Sequence, residues 1–164
     1  MDALLALKTR RSVRSYQPDP VPKKIVEDIV DCGRLAATAR NRQPWEFVAV
    51  TDGGVRRQLA ELIETGRFLA DAPVCIAVFC KDTKYFIEDG SAAIENILVA
   101  ARAHGLGSCW VAGDKKPYAE TVCQMLKVPP GFKLIGIVAL GYATDSPAMP
   151  PKRLLAEVLH WEKF

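Results

Sequence analysis

Histidine is scarce in this sequence: two occur, His104 and His160, and neither stands in an arrangement with cysteine or serine that would activate a nucleophile. There is no Gly-x-Ser-x-Gly turn, no His-Glu-x-x-His pair and no Gly-x-x-x-x-Gly-Lys-Ser/Thr loop, which removes the common esterase, zinc-protease and P-loop chemistries. The five cysteines are odd in number and lack metal-ligand spacing, so they are expected as reduced core thiols. The longest apolar runs, at 74–80 and 134–140, fall well short of the roughly 20 residues that a membrane-spanning helix requires, so no membrane partner is expected. At the N-terminus Asp2 comes first and the basic residues follow the apolar ones, the reverse of a secretory signal; the expected location is cytoplasmic. A net charge of +3 is too small to argue for a nucleic-acid partner. Gly105-Leu106-Gly107 has Trp110 where a dinucleotide fingerprint needs its third glycine, and it precedes a strand instead of following one. A chain without self-sufficient catalytic side chains is suited to take its chemistry from a bound cofactor.

What remains is an ordinary globular balance, 49% apolar and 25% charged over 164 residues, enough for one domain spanning 1–164. Asp2 can cap a first helix with Leu4, Leu5 and Leu7 as its apolar stripe, and Pro22 suits the first turn of a second that runs toward Ala37. A polar turn at 40–44 leads to a strand over 45–51, and a helix over 55–65 is ended by Gly66. The unbroken apolar run at 74–80 predicts a strand buried on both faces. A long helix over 85–104, stopped by Gly105, is apolar nearly all round in its second half, so it is either central or covered by a second subunit. His104 at its end reads as a cation set against the helix dipole. Two more strands are expected at 108–112 and 133–142, with a helix at 118–126 between them. The tail carries a short amphipathic piece at 154–161 that has no place on the domain's own sheet and suits an exchange with a partner.

Arg10, Arg11 and Arg14 put three guanidiniums within five residues, with Ser12 among them. Arginine's planar paired donors suit a phosphate, and a solvated basic loop is the plain alternative for this stretch alone. Three further segments bear on that choice. The opening Arg10-Arg11-Ser12-Val13-Arg14-Ser15-Tyr16 resembles the N-terminal flavin-binding R-R-S-x-R-x-[FY] of the nitroreductase family. The run from Ala37-Thr38-Ala39-Arg40-Asn41 to Gln43-Pro44-Trp45-Glu46-Phe47 is similar to that family's P-S-[SA]-x-N-x-Q-P-W-x-F. Gly105-Leu106-Gly107-Ser108-Cys109-Trp110 is similar to its G-L-G-[ST]-x-W, and Lys152-Arg153 followed by Glu157 and His160-Trp161 to its closing basic pair and E-x-x-H-W. Any one of these is common; four in order are not.

The resemblance implies an α+β fold, a central mostly antiparallel sheet flanked by helices, in an intertwined homodimer with exchange of the C-terminal tail. It implies FMN at the subunit interface, with Arg10, Arg11 and Ser12 on the phosphate and ribityl side, joined by Lys152 and Arg153, and Arg14 near the pyrimidine end of the ring. Ala37, Thr38, Ala39 and Asn41 would approach from the other subunit, and the backbone of Ala112 and Gly113 would lie beside flavin N5. The activity implied is ping-pong hydride transfer from NADH or NADPH, through the flavin, to a small acceptor such as a nitroaromatic or quinone, with no catalytic side chain and no metal. Ala37 stands where the family has Pro and Thr38 where it has Ser, and the stretch between Gly113 and Pro129 leaves no room for the extra helices that shape the substrate pocket in longer members. Enone reduction, dehalogenation or flavin breakdown on the same fold remain as alternatives, as does a non-catalytic flavin or nucleic-acid binding module.

Overall fold

Strand β2 (Val74–Lys81) is buried at every residue except Lys81, and this dictates the layering of the whole chain. Residues on alternate sides of a strand point to opposite faces, so two separate apolar layers must cover it. In the computed structural model, which describes residues 2–164, both layers are present. Val74, Ile76, Val78 and Cys80 enter one core with Ile29, Ile94, Ile97 and Leu98; Cys75, Ala77 and Phe79 enter the other with Leu59, Ile63 and Val122.

The sheet has four strands in the order β1-β2-β4-β3, with β1 at Trp45–Val50, β3 at Gly107–Ala112 and β4 at Phe132–Gly141. Every pairing is antiparallel, and β2 meets β4 from Val74 opposite Leu140 to Lys81 opposite Phe132, with one irregularity between Val78 and Phe79. Helices α1 (Ala3–Thr9), α2 (Lys23–Arg34) and α4 (Phe86–Ala103) lie together, α4 packing on both of the others and on all four strands. Helices α3 (Gly53–Leu62) and α5 (Ala119–Met125) contribute to the opposite core. Helix α4 is central within the domain: Ala93, Ile94, Ile97, Leu98, Ala100 and Ala101 are all buried.

Gly105 stops α4 with φ +79, a conformation that costs glycine nothing, and Gly107 then allows a close approach. A Cβ on Gly107 would stand 2.8 Å from Val13 side-chain atoms, so its absence lets the N-terminal segment lie along β3. That segment is fastened by Val13 N donating to Ser108 O at 2.9 Å, by Gln17 N donating to Tyr142 O at 2.8 Å, and by bridges Ser12–Ser108 and Tyr16–Ala143.

Several local expectations are corrected. Pro22 caps α2 instead of opening it, and the helix ends at Arg34, short of Ala37. Gly66 does not end α3, which closes at Leu62; it sits inside a separate 3₁₀ stretch, Glu64–Leu69. Leu4, Leu5 and Leu7 face outward and only Ala6 of α1 is buried. The five cysteines are free thiols, as expected, with Cys75, Cys80 and Cys109 buried. His104 caps α4 and also meets Asp28 at 2.6 Å, a partner that helix-end reasoning does not supply. No described helix is long and apolar enough to cross a membrane.

Candidate cofactor site

Between the end of α1, the fastened segment and the start of the tail lies a cleft of about 540 Å³. Arg10, Arg11, Ser12, Arg14 and Lys152 line it together with Lys8, and no carboxylate stands among its lining residues. Five cations facing one cavity repel one another, and such an arrangement is stabilised when an anion enters. Of the guanidiniums, Arg10 alone has a carboxylate in reach, Glu95 of α4 at 3.4 Å. Arg11 turns Nη1 back to the carbonyls of Lys8 and Arg10, at 3.0 and 2.6 Å, and its Nε is buried with no partner. A buried donor without a partner is costly and marks a place where an acceptor is missing. Arg14 is exposed and holds its guanidinium 5.9 Å from the centre of the Phe68 ring.

Cys109 lies behind this cleft. Burial pushes its thiol up from the ordinary value, while Arg14, the Ser12 hydroxyl and Arg10 oppose that rise. Burial likewise pushes Cys75 and Cys80 up to about 12, so these thiols are inert core residues at neutral pH. No group of three or more potential metal ligands occurs among the described residues.

The remaining sequence-predicted residues stand elsewhere in the single chain. Arg153 pairs with Glu157, Nη2 donating to its carbonyl at 2.7 Å, in a tail whose residues 151–164 are all exposed. Ala112 and Gly113 lie at the far end of β3 from the Ser12–Ser108 bridge; Ala112 is exposed and its carbonyl accepts from the Tyr118 hydroxyl. Four residues from Ser108 to Ala112 put about 13 Å between the two ends, a length suited to an elongated ligand. Ala37, Thr38, Ala39 and Asn41 belong to a turn on another side of α4, where Ala39 N donates to Asp89 Oδ1 at 2.9 Å. Asp89 and Glu95 are six residues apart on that helix, hence about 9 Å along it and about 240° around it. One chain therefore presents the arginine cleft and the Asn41 turn in different directions.

The turn itself is unusual. Arg40, Asn41 and Gln43 have φ values of 55, 54 and 48. The left-handed region costs roughly 1 to 2 kcal/mol for an ordinary L residue, and of these three only Asn tolerates it readily. Sequence reasoning found the arginines and Asn41 through their motifs. It missed Asp89 and Glu95, because an acid near the start of a helix and one on its flank are the commonest of surface features.

Comparison with known proteins agrees with this geometry. A model of the Nitroreductase family matches residues 7–66 and 64–142. A Thermus thermophilus protein named NADH dehydrogenase is 32% identical over 201 residues, spanning 98% of this chain and 96% of that protein. A Methanothermobacter thermautotrophicus protein, provisionally named an NADH dehydrogenase/NAD(P)H nitroreductase, is 32% identical over 153 residues, 90% of this chain and 80% of that one. The solved structure of an FMN-dependent nitroreductase from Clostridium difficile R20291 superposes with a TM-score of 0.91 at 28% identity, covering 98% of this chain and 99% of that one. An antiparallel α+β sheet with an anion-seeking cleft at its N-terminal segment, and a family match running through both, make this chain a member of the nitroreductase family.

Proposed function

We propose that the protein is a cytoplasmic, homodimeric, FMN-dependent oxidoreductase that takes hydride from NADH or NADPH and passes it to a small acceptor such as a nitroaromatic or quinone. The observation that carries this reading is the cleft of Arg10, Arg11, Arg14, Lys8 and Lys152, with no carboxylate in its lining and with the orphaned Nε of Arg11 behind it. A phosphate ester fits that donor set. Arg10, Arg11 and Ser12 would hold it, Lys152 would close over it, and Arg153 would join once the tail is docked. Each charge-assisted hydrogen bond contributes about 1.5 to 3 kcal/mol, so a few suffice for retention without a covalent bond.

The chemistry supplied by bound FMN is two-electron hydride exchange at N5, alternating between the nicotinamide donor and the acceptor in a ping-pong cycle. This chain's residues orient and tune. Arg14 near the pyrimidine end would favour negative charge there and raise the potential, by about 30 mV for each 1.4 kcal/mol of differential stabilisation. The backbone of exposed Ala112 and of buried Gly113 beside it would flank the reactive edge. Ala37, Thr38, Ala39 and Asn41 would come from the second subunit, an arrangement favoured by their direction on α4 away from the cleft. The homodimer is favoured further by the outward Leu4, Leu5 and Leu7 and by the exposed Leu154, Leu155 and Trp161 of the tail, since exposed apolar groups of this size suit burial by a partner. The short stretch between Gly113 and Pro129 would leave the acceptor side open.

Protein purified and reconstituted with FMN should be yellow and should bleach anaerobically on addition of NADH or NADPH, recovering colour with a quinone or nitroaromatic. A colourless protein that refuses FMN would overturn the reading.

A further inference from the structure

The 38–43 turn holds three left-handed residues, two of which, Arg40 and Gln43, have no intrinsic liking for that conformation. Its internal bonds sit at the upper end of the ordinary range: Asn41 N to Thr38 O and Arg42 N to Ala39 O at 3.2 Å, and Gln43 N to Thr38 Oγ1 at 3.3 Å. Something outside the turn must hold it. On one side Pro44 and Trp45 are buried and Pro44 O accepts from Lys81 N at 2.9 Å. On the other, α4 supplies one direct fastening to the turn, at Asp89, and seven residues on, on the same face of the helix, a bond to the end of α2. Asn96 Nδ2 donates to Cys32 O near the end of α2 at 3.0 Å, and Asp89 Oδ1 accepts from Ala39 N at 2.9 Å.

Asp89 is 4% exposed, and its Oδ2 is buried without a partner. A half-satisfied buried carboxylate is a poor choice for packing, and it is not needed for the helix dipole, because exposed Glu88 already places an acid in the first turn of α4. The one hydrogen bond its side chain makes is to the turn. We propose that Asp89 is the positioning residue for this turn: through Ala39 N it keeps Asn41 in the left-handed geometry in which Asn41 would meet the cofactor held by the second subunit. This rests on the cofactor reading above for its purpose, although not for the hold itself.

The test compares Asp89→Ala, Asp89→Asn and Asp89→Ala combined with Arg40→Gly and Gln43→Gly, each as full-length dimer. FMN affinity is read by fluorescence, the bound flavin by visible circular dichroism, and amide hydrogen exchange at 38–43 before FMN is added. Asp89→Ala should weaken FMN binding by about ten- to a hundredfold, the loss of a hydrogen bond to a charged group. Asp89→Asn, whose side-chain oxygen still accepts from Ala39, should stay within about threefold of the parent by the same reasoning. The two glycines, which enter the left-handed region freely, should recover about tenfold of the loss by restoring the turn without its anchor. A folded Asp89→Ala protein with parental affinity and exchange overturns the proposal, as does an Asn variant as weak as the Ala variant. Should Asp89→Ala not fold, the parent decides: an Ala39 amide protected relative to Arg40 and Gln43 upholds the hold, and one that exchanges as fast as they do overturns it. A parent that takes no FMN refutes the cofactor reading, while the exchange data still report on Asp89.

Discussion

Two basic segments converge on one cleft, and they are built in opposite ways. The N-terminal one is fastened by backbone bonds from Val13 to β3 and from Gln17 to Tyr142 just past β4, and buried Val13 and Tyr16 pin it into the core. The tail one brings Lys152 to the same cleft with every residue from 151 to 164 exposed, and its Arg153 is turned to Glu157. The first is a finished part of the domain. The second is exposed throughout, as the proposed docking of the tail on a second chain would require.

The sharpest way to break this contrast is to remove charge from each segment in turn. Arg10→Ala with Arg11→Ala should weaken FMN binding by more than about a hundredfold, because two charge-assisted hydrogen-bond donors disappear together. Lys152→Ala with Arg153→Ala should cost about tenfold, and the share of that loss due to Arg153 should vanish at protein concentrations low enough to dissociate the proposed dimer. Equal losses from the two pairs, at all concentrations, would erase the distinction. Fluorescence titration across a dilution series reads both.

The fastening can be attacked without touching a charge. Gly107→Ala places a Cβ 2.8 Å from Val13, and overpacking of this kind costs about 1 to 3 kcal/mol. The melting temperature should fall by about 2 to 4 °C for each kcal/mol, with FMN affinity falling alongside as the arginines shift. Stability lost with affinity intact would mean that the segment's docking does not set the cleft.

At neutral pH the buried thiols have no effect, and it is at high pH that they test the core. Cys75 and Cys80 are raised to about 12 from an ordinary value of 9.0, so the folded chain holds their protons where the unfolded chain releases them. Stability is therefore intact below about pH 9 and is lost progressively between about 9 and 12, as the unfolded state binds fewer protons. Melting temperatures across that range should decline, and Cys75→Val should soften the decline; an unchanged slope would show that another group governs it.

Much of the fold was legible in the residues. Strand β2 and the long helix α4 announced themselves because a continuous apolar run and an all-round apolar helix have few places to go. On their own Arg10, Arg11 and Arg14 suit a solvated loop as well as a phosphate; that they face one cleft with Lys152 is set by the fold. Other features are invisible for physical reasons. Leu4, Leu5 and Leu7 form the same stripe whether a sheet or a second chain covers them. Residues 39–43 contain nothing but Asn41 to suggest a left-handed turn, since Asp89, which anchors it, is fifty positions away. That Arg153 engages Glu157, four residues on, in the single chain is likewise not visible in the residues alone.

The central sheet divides the interior into two cores, and the components of the site rest on different ones. Val13 and Tyr16, beside the arginines, belong to the layer of α3 and α5, whereas the turn carrying Asn41 is tied to α4 in the other, with Arg10's reach to Glu95 the link between them. Residues that share no neighbours influence stability almost independently. In evolutionary terms, each half of the molecule can drift under its own packing constraints, and in the proposed shared site a displacement of the arginines in one chain would call for a change in the opposite layer of the other.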